Sequence, residues 1–145
     1  MRFGQAAQSS VLRIAKLLAV LLGTGTCAGL PAQGLKSGQQ VYQETCFACH
    51  ATGAAGAPKF GDKKAWAPLF KEGQVEPTAH AWVGIRGMPA KGGRADLALE
   101  EFARAAAHMA RAAGGDWKDP DARLLDRIRV EEKKRIDKLK AGKQP

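Results

Sequence analysis

The chain has 145 residues, is 45% hydrophobic, 26% charged and 6% aromatic, and carries a formal net charge of +9. That leaves room for one small domain with extensions, and excludes a large multidomain enzyme, a polytopic membrane protein and a collagen-like fibre. Three cysteines are too few for a disulfide-dense scaffold, while 17 glycines and 7 prolines imply long loops and turns.

Residues 1–34 read as a signal peptide. Arg2, Arg13 and Lys16 precede an apolar run from Leu17 to Leu22, small residues continue to Gly29, and no acid appears before Glu44. The 14 residues from Leu17 to Leu30 fall short of the ~20 that span a bilayer, so cleavage is expected over an uncleaved anchor. Thr26-Cys27-Ala28 and Ala32-Gln33-Gly34 both offer small residues at a cleavage site. Thr24, not Leu, stands three residues before Cys27, so Cys27 reads as part of the signal rather than as an acylation site. Export to the periplasm follows, with membrane association left open.

Residues 35–113 and 114–145 each hold ten basic and seven acidic side chains, so the positive charge is spread out. Ser37 with Gln40 forms a capping box that opens a helix through Val41, Tyr42 and Cys46. Residues 51–61 read as a loop. Asp62 caps a short helix carrying Trp66, Leu69 and Phe70, and Pro77 suits the first turn of the next, which carries Trp82, Val83 and Ile85. After a second loop over 86–94, a helix from about Leu97 to Ala113 buries Phe102, Ala106, Met109 and Ala113, and stops at Gly114-Gly115.

In the tail, Asp119-Pro120 reads as N-cap and first helical residue. Leu125, Ile128, Ile136 and Leu139 share one face, interrupted by Glu132. The expectation is a solvated amphipathic helix that packs weakly or binds a partner helix, so that truncation after Gly115 leaves the core untouched. No alternating strand pattern is visible. The fold class is all-α, with domains at 1–34 (signal), 35–113 and 114–145 (charged helical tail).

A domain of this size buries only ~60% of the surface its unfolded chain exposes, so a large buried group is needed to fill the middle. Cys46, Cys49 and His50 supply the means. C-x-x-C-H is the attachment signature of a c-type haem: two thiols three apart lie near one helix face and can add to the two vinyl groups of haem, and the next residue faces the iron. A redox dithiol would need a strand before it and a βαβ setting. A zinc site would need a fourth ligand, for which His80 and His108 are the candidates, neither in a second ligand pair. Met88, between Gly87 and Pro89 in a glycine-rich loop, is the candidate sixth ligand, ahead of His80. Met109 lies on the packing stripe.

The segments S-G-Q-Q-V-Y-Q-E-T-C-F-A-C-H, G-A-P-K-F-G-D-K-K-A-W-A-P-L and G-M-P-A-K-G-G, in that order over about residues 36–112, resemble a class I cytochrome c of the bacterial cytochrome c5 type. The resemblance implies a small cytochrome c fold wrapped around one covalent haem c, with a separate C-terminal charged helix. It makes Cys46 and Cys49 the thioether links and His50 and Met88 the axial ligands of the iron. Pro58 stands where the family's proline carbonyl accepts the histidine Nδ–H. Tyr42 and Trp66 would pack near the haem. Such relatives often carry a second cysteine pair, which this chain lacks after Cys49. The tail departs from the family pattern.

The implied function is a periplasmic electron carrier, not an enzyme, cycling Fe(III)/Fe(II) with His/Met ligation. Redox donor and acceptor proteins would dock transiently, with Lys59, Lys63, Lys64 and Lys91 as the candidate rim. The alternatives are a haem-bearing subunit of a larger redox complex, or a haem sensor or enzyme with a displaceable Met88. Nucleic-acid binding is not expected, because aromatics do not interleave with the basic residues and the compartment is wrong.

Overall fold

The computed structural model describes residues 34–142. The signal-peptide expectation, Cys27 included, lies outside the described residues.

The first helix, α1 (38–50), starts where Ser37 and Gln40 close their capping box: Ser37 Oγ accepts from Gln40 N at 3.2 Å and Gln40 Oε1 accepts from Ser37 N at 2.9 Å. Its middle widens into a π-helical turn over Tyr42–Cys46, bounded by α-helical turns at Gly38–Val41 and Phe47–His50. Such wide turns recur at functional sites, and this one ends at Cys46.

Asp62 caps α2 (Lys63–Glu72), its carboxylate accepting from Lys64 N and Ala65 N. α3 (Val75–Val83) carries Pro77 in its first turn, where a missing N–H costs nothing. Ile85 falls outside α3, in a tight turn described below. α4 (Leu99–Ala112) ends where Gly114 takes φ 90° and the amides of Gly114 and Gly115 reach back to the carbonyls of Arg111 and Ala110. α5 (Ala122–Lys140) completes the order. No strand forms among the described residues, and the fold is all-α.

α4 is the axis. Ala103, Ala105, Ala107 and Ala110 are essentially inaccessible and Phe102, Met109 and Ala113 are buried, as the stripe requires. Small side chains let neighbouring helices approach closely on more than one side. Where α1 crosses, Gly38 lies against the Arg104 carbonyl, so that a Cβ there would collide with backbone.

The tail corrects the expectation of a weakly packed, separate helix. Its N-cap is Asp121, which accepts from Leu124 N at 2.7 Å, while Asp119 instead pairs with Arg111 at 3.0 Å. The preceding stretch crosses the core: Trp117 is buried and meets Trp66 and Phe70 edge-on, and Gln74 exchanges two hydrogen bonds with the backbone of Lys118. Leu124, Leu125 and Ile128 then pack with Ala79 of α3 and Ala103 of α4, Ile128 at 0% exposure. Glu132, which breaks the apolar face in sequence, accepts from the buried Trp82 indole at 2.9 Å. A short apolar stripe suffices because the facing helices present alanines.

Candidate haem site

The C-x-x-C-H segment closes α1. Cys46 is buried, Cys49 exposed, and both thiols are unbridged. Burial, with the Cys49 sulfur nearby, pushes the Cys46 thiol up to about 11, so it is a neutral thiol at neutral pH. His50 is buried, and its Nδ1–H donates to the Pro58 carbonyl at 2.8 Å. That bond leaves Nε2 as the ring nitrogen with a lone pair to offer, and none of the described residues hydrogen-bonds to it.

The loop after the motif is held from several directions. Phe60 N donates to the His50 carbonyl at 2.7 Å, and the Trp66 indole donates to the Lys59 carbonyl at 3.0 Å. The peptide next to Pro58 is thus anchored by α2. Tyr42 is buried and stacks on Phe60 at 4.5 Å, with His108 beside both rings. The aromatic residues expected near the site therefore brace the histidine loop, Trp66 by a specific hydrogen bond and Tyr42 through Phe60.

Within the glycine-rich loop, Met88 sits in a tight turn. Ile85 and Met88 exchange backbone hydrogen bonds at 3.1 and 2.9 Å, and Arg86 between them takes φ 53°. Gly84, at φ 102°, leaves α3 where a Cβ would press on Ala90 N and the Met88 carbonyl. The Met88 side chain is half-buried against the main core. Gly87 lies against Ala55 of the histidine loop, and Gly92 against Thr45 of α1, so both ends of the methionine segment touch the cysteine–histidine half. Met109 is core, and His80 lies at the α3–α5 interface facing Glu131. Lys59, Lys63 and Lys64 are exposed. Lys91 is not a free rim charge, since its ammonium sits 4.7 Å over the Trp82 ring and donates to the Ala95 carbonyl.

Sequence reasoning missed the bracing groups Phe60, Trp82 and Glu132. Phe60 lies in a loop with no periodic pattern to mark it, and no local signal pairs Trp82 with a carboxylate 50 residues away.

The donor set suits an iron porphyrin. Two thiols can form thioethers, one imidazole has its outer nitrogen tied and its inner nitrogen available, and one thioether is set on a rigid turn. An all-α chain that carries such groups belongs to the small c-type cytochromes. The chain is a member of the family described as cytochrome c oxidase, cbb3-type, subunit III, which matches residues 33–109. It is 43% identical over 77 residues to cytochrome c-555 of Chlorobaculum tepidum, covering 50% of this chain and 71% of that protein. Against cytochrome c5 of Azotobacter vinelandii it is 38% identical over 78 residues, covering 52% and 94%. A chain of the crystal structure of an electron transfer complex of nitrite reductase with cytochrome c matches with TM-score 0.50 and 41% identity, covering 52% of this chain and 93% of that one. The protein is a haem electron carrier with covalently bound haem c.

Proposed function

We propose that Cys46 and Cys49 carry the haem as thioethers, that His50 Nε2 and Met88 Sδ are the axial ligands, and that the protein shuttles electrons between redox proteins in the periplasm. The observation that carries this reading is the His50–Pro58 hydrogen bond at 2.8 Å, beside the two thiols. The haem supplies one-electron Fe(III)/Fe(II) chemistry. The chain's part is positional. Pro58 fixes the His50 tautomer and raises its basicity. The Ile85–Met88 turn presents the thioether on a preset backbone, and methionine ligation raises the potential. With His50 and Met88 both holding the iron, the haem would offer substrate no coordination site.

Partner docking follows the chemistry of a transient electrostatic contact, with exposed Lys59, Lys63 and Lys64 near the histidine loop as the basic rim. The solved complex with nitrite reductase supports a redox enzyme as the kind of partner. Among the described residues no helix is long and apolar enough to cross a membrane; the periplasmic assignment rests on the N-terminal charge pattern. A second reading, a haem-bearing subunit of a larger redox complex, is favoured by the family description.

The test is carbon monoxide addition to the reduced protein, with Met88→Leu alongside. The wild type is expected to resist carbon monoxide, while the variant binds it and has a lower midpoint potential. Rapid, complete binding by the wild type would instead mark a displaceable Met88 and a sensor or enzyme.

A further inference from the structure

Away from the haem site, α3 and α5 bring together Glu76, His80 and Glu131. One donor atom from each lies within 4.8 Å of the other two. Glu76 and His80 are four apart on α3 and so share a face; Glu131 comes from α5. The geometry points to a site for a divalent transition metal of the zinc class, held by Glu76, His80 and Glu131 and tying the tail helix to the body of the protein.

No hydrogen bond explains the arrangement. His80 Nε2 is buried with no hydrogen-bond partner, and it lies 3.9 Å from Glu131 Oε1, too far for a hydrogen bond. An unpaired buried ring nitrogen is costly. Two ligands of a tetrahedral zinc, each about 2.1 Å from the ion, stand roughly 3.4 Å apart; His80 and Glu131 stand 3.9 Å apart and all three donors lie within 4.8 Å of one another, so the side chains would draw in around an ion.

Glu131 is also oriented as a ligand. Lys134 donates to Oε2 at 3.0 Å, which leaves Oε1 toward His80. Arg135 and Lys138 face the histidine too, and with Lys134 they oppose a cation; the affinity is therefore modest, and borderline N/O-binding ions are favoured over magnesium, which prefers oxygen ligands and keeps its waters. Imidazole nitrogen and carboxylate oxygen are both ligand types that zinc accepts.

The experiment is equilibrium dialysis of the oxidised holo-protein against zinc and, separately, magnesium, with bound metal counted and thermal unfolding recorded. One zinc per chain is expected, with a raised unfolding midpoint and no comparable effect of magnesium. Glu76→Gln, on an exposed residue, His80→Ala and Glu131→Gln should each weaken zinc binding at least tenfold while leaving the haem spectrum as in the wild type. Absence of saturable zinc binding, or wild-type affinity in any of the three variants, would overturn the assignment.

Discussion

Ile128→Ala separates a tail that belongs to the folded body from one that decorates it. Ile128 is fully inaccessible and packs with Leu124, Leu125, Ala79 and Ala103 across three helices. The substitution removes three buried carbons, worth about 2.4 kcal/mol at ~0.8 kcal/mol per CH2. The cavity left between alanine-faced helices adds to this, because their backbones cannot close the gap, giving a loss of about 3–4 kcal/mol. In a folded unit of this size the unfolding midpoint should fall by roughly 10 °C or more. The assay is thermal and denaturant unfolding of the oxidised protein, followed by far-UV circular dichroism and by haem absorption. Both signals should move together. A change under about 0.5 kcal/mol, or a tail transition that leaves the haem signal in place, would refute the packing argument.

Three further outcomes follow from the same geometry. Gly38→Ala places a methyl against the Arg104 carbonyl and should cost at least 1–3 kcal/mol as α1 is pushed off α4, measured by denaturant unfolding; an unchanged midpoint would mean the crossing is looser than described. His80 and His108 are both held below the ordinary histidine pKa of 6.5, first by burial. The unfolded chain therefore takes up protons first as pH drops, so stability is full above about 6.5 and declines below it toward the folded-state values. Replacing either histidine with Gln, in the presence of a chelator, should flatten that decline, and a slope unchanged in both variants would contradict it. Reduction by a partner protein should slow as ionic strength rises, and Lys59→Gln with Lys63→Gln should weaken that dependence; a flat salt response in the wild type would remove electrostatic steering.

The attachment motif, the capping box at Ser37, the Asp62 cap and the α4 stripe were legible because each is a local signal: a fixed spacing, a reciprocal side-chain–backbone bond, a period of 3.6. The Pro58 acceptor was legible only through family resemblance, since nothing in the loop's own residues says which carbonyl meets His50. Hidden altogether was what depends on partners far along the chain. Glu132 looks like a defect in an apolar face until Trp82 is brought opposite it. Asp119 looks like a cap until Arg111 claims it, and the helix starts at Asp121 instead. Lys91 looks like surface charge until it lies over the Trp82 ring. The tail misled for the same reason. Its stripe is thin by itself, but alanines on α3 and α4 need only a thin stripe to fill the space.

The central claim is that Cys46 and Cys49 hold the haem covalently. Mass spectrometry of the exported protein, denatured and digested, reads it most directly. The account predicts that the peptide containing residues 46–50 carries the mass of one haem that organic acid does not strip. Recovery of that peptide with two unmodified thiols, from a host that matures other covalent haem proteins, would contradict it.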